Sequence, residues 1–524
     1  MPVQNPFFTL RYESALALLG DDFYDAVQPT TFPQTRLRFR NNHLLPLLGL
    51  VPETVDDQHF IEAFGQFQQH PSQQHQSQQH QSQQHQSQQH QSQHHHKPLS
   101  QRQRTGLALR YHGHQFGQYN PSLGDGRGFL YGQVQAVDGH LLELGTKGSG
   151  QTPHSQGRDG RLSLLGGVRE VLAAEALHGL GIPTSRVLSL IETGEALTRA
   201  TEPSPTRSAV MVRLSHSHIR FGTFERLEYF DRPDLVRRLL DYVIAYHYGH
   251  LRKLPDRDIQ FYAELVKRTA HLVAGWMAAG FCHGVLNTDN MSIIGEGFDY
   301  GPYAFIDTYN PYFTAASFDR LGRYSYRNQP NICRWNLEML QRPLESVMSK
   351  TEMEDVLQSF TGIYERTYHQ AMLHKLGFES LPSEDTITLI DLTLQFLFAS
   401  QVKYHHFFQA LRQQFSGLWR EDPSHIFTDL SFLESVDHIA ALQSWKDLYH
   451  QLLQQQPESE MAAVAQRLQQ HNAKQVLSQS AIAEIWYAIE QADNWQPFLQ
   501  AITKSNEPSW AAPAKGLTAG EWCQ

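Results

Sequence analysis

His283-Gly-Val-Leu-Asn-Thr-Asp-Asn-Met-Ser-Ile-Ile294, with Asp299-Tyr-Gly301 a few residues on, is the stretch on which the reading of this sequence turns. Asn290 and Asp299 are hard oxygen donors of the kind that hold a divalent cation against phosphates. Asp289 is the candidate proton acceptor of the loop.

The spacing can be set against a protein-kinase catalytic loop, His-Arg-Asp-x-x-x-x-Asn followed by Asp-Phe-Gly. His283 and Asn290 keep the His-to-Asn interval, and Asp299-Tyr300-Gly301 stands where Asp-Phe-Gly would. The position of the usual catalytic Asp is Val285, which accepts no proton. A loop that keeps metal ligands and loses that base is either inactive or does different chemistry.

Upstream of this loop the chain reads as β-rich, and downstream as helical. Gly128–Val137 and Leu141–Lys147 are strand-like runs joined by Asp138-Gly139, a hairpin signal. Leu162–Leu180 has helical spacing, with Leu164, Leu165, Val168, Val171, Leu172 and Leu177 largely on one face, and Gly181-Ile182-Pro183 ends it. Strands are expected at Val187–Glu192, Ala209–Leu214 and Met291–Gly295. Helices are expected at Glu13–Leu19, Pro233–Leu251 and Asp258–Ala279, and through most of the chain beyond Thr351.

Several segments have the chemistry to hold phosphate. Leu123-Gly-Asp-Gly-Arg-Gly128 places Gly124, Gly126 and Arg127 before a strand, where backbone N–H groups and a guanidinium can approach an anion. An ordinary glycine-rich turn reads the same way. Lys147 ends the second hairpin strand, and Glu170 lies in the following helix. A strand Lys held by a helix Glu is how kinases orient phosphate, although a surface Lys and an unrelated Glu give the same string. Between them, Asp159, Gly160 and Arg161 close a long Gly- and Arg-rich loop that enters the helix. Arg213 and Arg220 flank Ser215-His-Ser-His218 and are either phosphate ligands or solvated charges.

Composition excludes other classes. The chain has 524 residues, 40% of them hydrophobic, and a net charge of −10. No basic excess marks a nucleic-acid binder. Three cysteines, Cys282, Cys333 and Cys523, give no disulfide framework and fit a reducing compartment. No apolar run reaches the ~18 residues of a membrane span, and the N-terminal stretch has neither signal-peptide nor transit-peptide character. The expectation is a cytoplasmic protein. Residues 68–97, with four copies of Gln-Gln-His-Gln-Ser at 73–92, are too polar to bury a core and are expected to be disordered. Weak metal binding by those histidines is the less favoured alternative.

Taken together, the motifs resemble the selenoprotein O (SelO) family of protein adenylyltransferases. They are Tyr111-His-Gly-His-Gln-Phe-Gly-Gln118, Leu123–Arg127, Lys147-Gly-Ser-Gly-Gln-Thr-Pro153, Asp159-Gly-Arg161, Arg169-Glu170, Gly181-Ile-Pro-Thr184, Arg213 with Arg220, and the 283–292 loop with Asp299-Tyr-Gly-Pro302. They occur in the family's order across roughly residues 105–340.

The resemblance implies an α+β, two-lobed protein-kinase-like fold. Residues 1–225 would form a β-rich N-terminal lobe, 226–350 a helical catalytic lobe and 351–524 a helical extension. ATP would lie inverted, so that its α-phosphate meets a Ser, Thr or Tyr hydroxyl of a protein and pyrophosphate leaves. Gly124, Gly126, Arg127, Lys147, Asp159, Gly160, Arg213, Arg220 and Asp299 would contact the nucleotide. Lys147 would pair with Glu170, Asn290 and Asp299 would hold Mg²⁺ or Mn²⁺, and Asp289 would accept the proton. UMP transfer with Mn²⁺ is a further implication. Cys523 stands near where the family often carries a redox-active Cys or selenocysteine. A phosphotransferase with ATP in the ordinary orientation and a non-catalytic nucleotide-binding protein are the competing readings.

Overall fold

A computed structural model describes residues 4–68, 105–199, 202, 204–433, 439–474 and 476–506. The Gln/His tract and Cys523 lie outside them. The chain is mixed α/β and divides into two units.

The first unit comprises Met1–His112, Asn120–Val168 and Arg186–His218. Its strands are β1 (Tyr12–Glu13), β2 (Tyr24–Val27), β3 (Arg36–Arg40) and β4 (Gly106–Leu109), then, past the small pair β5 (Gly113–Gln115) and β6 (Gln118–Asn120), β7 (Leu130–Gln135), β8 (Leu141–Lys147), β9 (Leu162–Ser163), β10 (Arg186–Leu197) and β11 (Thr206–Ser215). Apart from β5 and β6, these form one antiparallel nine-stranded sheet. Its main path is β2-β4-β7-β8-β11-β10-β3, with β1 on β7 and β9 on β11.

The hairpin β7–β8 forms where the Asp-Gly pair places it. Gly139 has φ +88°, a left-handed conformation that glycine adopts without steric cost. The Asp138 carboxylate accepts from His140 N at 3.0 Å and fixes the turn. Inward side chains of this sheet, among them Tyr131, Leu144, Val210 and Val212, pack with Phe7, Phe60, Phe64 and Phe67 into one core. Burying aromatic rings of this size supplies much of the unit's hydrophobic stabilisation.

The second unit comprises Gly113–Tyr119, Arg169–Ser185 and Ile219–Gln524. The helix Arg257–Ala278 runs through its centre: Tyr262, Leu265, Thr269, Leu272 and Trp276, spaced at three or four residues, are each at most 2% exposed. It leads into β12 (Phe281–Cys282), which pairs with β13 (Ala304–Phe305) and fixes both ends of the 283–301 segment. Helices Lys350–Lys375, Ser383–Ser400, Tyr404–Gln414, Ile439–Gln455, Met461–His471, Gln479–Ala492 and Gln496–Asn506 follow, as expected beyond Thr351.

Four local expectations change. Glu13–Leu19 is no helix: Tyr12 and Glu13 pair with Val134 and Gln133 of β7, and only a 3₁₀ turn forms at Ala17–Leu19. Seven residues are too few for a helix to pay its nucleation cost against strand pairing. Leu162 and Ser163 pair with Ala209 and Ser208, so the next helix spans Leu164–Gly179. The helix from Pro233 ends at His247, with a 3₁₀ turn over Gly249–Leu251. Met291–Gly295 forms no strand but lies against Ile219–Phe221: Phe221 N donates to Met291 O at 3.0 Å and Ile293 N to Ile219 O at 3.1 Å.

Candidate active site

In the first unit, sheet register brings two cations to one face. Arg213 of β11 is opposite Gly145 of β8, and Met211 is opposite Lys147. Residues directly opposite share a face, as do residues two apart on a strand, so Lys147 and Arg213 are diagonal neighbours on one side of the sheet. Lys147 is 9% and Arg213 7% exposed.

The glycine-rich segment runs beside them. A Cβ at Gly128 would stand 2.0 Å from Thr146 O, so only glycine lets the chain come this close to β8. Gly124 faces the ring of His154, and Gly126 its carbonyl oxygen. Ser155 Oγ donates to Gly126 O and Thr152 Oγ1 to Asp125 O, both at 2.5 Å, which ties the 123–128 segment to the following loop. Arg127 is exposed. Gly160 has φ +68°, with Gly150 packed against it. Asp159 is exposed, and both of its carboxylate oxygens accept from Arg199, at 2.7 and 3.1 Å. Burial acts to raise its pKa, but the hydrogen bonds from Arg199 and from Arg161 N outweigh this and hold it low.

In the second unit, the 283–301 segment is held residue by residue. The His283 ring nitrogen Nε2 lies 3.1 Å from Phe298 O, and His283 N donates to Gln329 at 2.9 Å. Burial keeps the imidazole neutral by lowering its pKa. Asn336 donates to Leu286 O at 3.0 Å. Asn290 Nδ2 donates to Val285 O at 3.1 Å, so its side-chain carbonyl oxygen is the atom that could face a cation. Asp299 has φ +63°, an uncommon conformation for a residue with a Cβ. Next to it, Tyr300 N donates to the Glu170 carboxylate at 3.3 Å, and the Tyr300 hydroxyl meets Thr184 Oγ1 at 2.6 Å. Glu170 is thus fixed against the Asp-Tyr-Gly turn.

Asp289 sits in the 3₁₀ turn Thr288–Asn290 and is 7% exposed. Its Oδ1 is buried with no hydrogen-bond partner among the described residues. Burial raises its pKa to about 7, assisted by the Asp299 and Glu225 charges and opposed by Arg220. Arg220 donates from Nη1 to Asp289 O at 3.0 Å and lies over the Phe298 ring at 5.0 Å. A buried carboxylate with an idle oxygen, close to a second carboxylate, is a site suited to a cation and to proton uptake.

The structure adds residues that the motif reading left without roles. Glu225, 1% exposed, accepts from Thr288 Oγ1 at 2.7 Å and meets His114 Nδ1 at 2.9 Å. His114 N in turn donates to Thr288 Oγ1 at 2.7 Å. Tyr324 OH donates to the Asn287 carbonyl oxygen at 2.5 Å and accepts from Phe116 N at 2.9 Å. The signal for this brace was the His-Gly-His-Gln-Phe run at 112–116, whose polar residues are too dense for a plain strand. Glu225 had no local signal.

Comparison with known proteins places the chain in a family. The family model described as protein adenylyltransferase SelO matches residues 6–506. The protein nucleotidyltransferase YdiU of Trichormus variabilis is 54% identical over 498 residues, covering 95% of this chain and 96% of the relative. That of Synechococcus elongatus is 53% identical over 509 residues, covering 96% of each. The Azotobacter vinelandii protein of the same name is 35% identical over 484 residues, covering 92% of this chain and 90% of the relative. Both the family and the enzyme class expected from the motifs are borne out: the chain is a nucleotidyltransferase and belongs to the SelO family of protein adenylyltransferases.

Proposed function

We propose that this enzyme transfers AMP from ATP to Ser, Thr or Tyr hydroxyls of proteins and releases pyrophosphate. The observation that carries the reading is Asp289, a buried carboxylate with an unengaged oxygen, on a loop whose usual kinase base position is Val285. In the reaction, the acceptor oxygen attacks the α-phosphorus. The bond from that phosphorus to the oxygen bridging it to the β-phosphate breaks, and pyrophosphate takes the bonding pair. Asp289 takes the hydroxyl proton, and a carboxylate whose pKa is about 7 is matched to that task near neutral pH.

In this reading the chain has the kinase-like architecture of its sequence motifs. Lys147 and Arg213, side by side on the sheet, neutralise the phosphates together with Arg127 and Arg220, and Gly124, Gly126, Asp159 and Gly160 shape the nucleotide-binding loops. The acceptors are proteins, as the family description states, and their hydroxyl side chains are the nucleophiles of this reading.

The donor set fits a divalent cation. Asn290 presents a carbonyl oxygen, Asp299 a carboxylate, and Asp289 Oδ1 is idle beside them. Among the described residues, no group of three or more His, Cys, Asp or Glu forms a cage by itself. Few protein ligands with the rest from phosphate oxygens is the Mg²⁺ pattern. When bound, the ion supplies charge neutralisation at the phosphates.

ATP labelled at the α-phosphorus, and separately at the γ-phosphorus, tests the reading. Label on protein from the α position supports adenylyl transfer. Label from the γ position alone overturns it in favour of a phosphotransferase.

A further inference from the structure

The second unit contains a cavity of about 160 Å³. Its walls are mostly apolar, with Ile182, Pro183, Ala278 and Ala371 among them. A cavity of about 150 Å³ with such walls takes up a benzene-sized body. Three nitrogen-bearing side chains, His271, Lys375 and His405, break the apolar lining.

Lys375 is 5% exposed. Its ammonium nitrogen stands 4.1 Å from the Phe408 ring centroid and 5.8 Å from that of Tyr404, and it forms no ion pair among the described residues. A ring face stabilises a desolvated cation by about 2 kcal/mol, well short of what removal from water costs. Burial accordingly lowers the Lys375 pKa to about 7. The His405 Nε2 is buried and has no hydrogen-bond partner among the described residues.

The surrounding charges have the same sign. His405 is held neutral by burial, then by Lys375 and His406. His471 is held neutral by burial, then by His374, Lys375 and Arg467, and His271 by burial, Lys267 and Arg366. Among the described residues, Glu379 acts on the neighbouring His374, and it is already engaged by Arg467 at 3.0 Å and by His374 itself at 3.6 Å. What the cavity lacks is an anion.

We propose that this cavity is a binding site for a small monocarboxylate with a compact apolar body, its carboxylate meeting Lys375 and His405 and its body filling the space between Ile182, Pro183 and Ala371. The carboxylate completes the pairing that Lys375 does not find within the protein, and the apolar walls limit the body to about six carbons. The site is independent of the transferase reaction, and its occupancy is read without it.

Calorimetric titration of the full-length protein at pH 6.5 with benzoate, and with the uncharged isostere benzamide, tests this. Benzoate is expected to bind at least ten-fold more tightly than benzamide. Lys375→Met is expected to remove that preference, and Ala371→Leu, which fills the cavity, to weaken benzoate at least ten-fold while Lys375 remains. Failure of benzoate to bind at millimolar concentration, equal binding of benzamide, or undiminished benzoate binding by either variant each overturns the proposal. If Lys375→Met does not fold, the benzamide comparison and the Ala371→Leu variant still decide.

Discussion

Gly113 lies against Asp289 so closely that a Cβ on the glycine would stand 3.0 Å from Asp289 Cβ and 3.1 Å from Oδ1. The oxygen that has no partner is therefore roofed by backbone, which keeps it dry and fixes its rotamer. Thr288 Oγ1, 3.1 Å from the same point, has no room to move aside because it is hydrogen-bonded to His114 N and Glu225. Gly113→Ala is expected to displace the carboxylate by a few tenths of an ångström and to lower kcat by about 10–100-fold. The thermal midpoint should change little, which separates this effect from unfolding in a paired activity and melting measurement.

Glu225 braces the same turn from the other side. Glu225→Ala removes the acceptor of Thr288 and the partner of His114 in a buried setting. The expected destabilisation is about 1–3 kcal/mol, the cost of leaving buried polar groups unsatisfied. Chemical denaturation measures it. Glu225→Gln retains an acceptor for Thr288 and is expected to recover at least half of the loss.

The folded protein should be acid-labile below pH 6.5. His271 is held down to about 4 by burial, then Lys267 and Arg366, and His471 to about 3 by burial, then nearby cations. The unfolded chain titrates histidine near 6.5, so below that pH it binds more protons than the folded state. The contribution of these two histidines to stability is fully present above about pH 6.5 and falls as pH drops towards the folded values, by up to about 1.4 kcal/mol per pH unit for each. Urea midpoints at pH 7.5 and pH 5 measure the slope. A double His271→Gln, His471→Gln variant is expected to flatten it.

Two thiols should be silent in the folded state. Cys282 and Cys333 are both fully buried, and burial raises the Cys282 pKa to about 11 and that of Cys333 further still. The thiolate is the reactive species. Iodoacetamide at pH 8 is therefore expected to leave both unmodified on native protein and to label both in denaturant, as mass spectrometry would show.

What could be read from the sequence depended on how local each signal was. The Asp138-Gly139 turn and the 3.6-residue spacing of Tyr262, Leu265, Thr269, Leu272 and Trp276 are each set by residues close in the chain, and each appears where expected. Tyr12 failed because its partner, Val134, is more than a hundred residues away. Glu225 was missed for the same reason, since nothing within the Phe221–Tyr229 helix marks it as the acceptor of Thr288. The family assignment drew on many short motifs at once. The register that sets Lys147 beside Arg213 required the sheet order itself.

The most direct test of the account is transfer of α-labelled AMP to protein by Asp289→Asn, measured in single turnover beside equilibrium binding of ATP. Asn matches the size of the carboxylate but takes up no proton. The account predicts a loss of at least 100-fold in the transfer rate, with ATP affinity within about three-fold of the parent enzyme. Transfer by Asp289→Asn at the parent rate would contradict it.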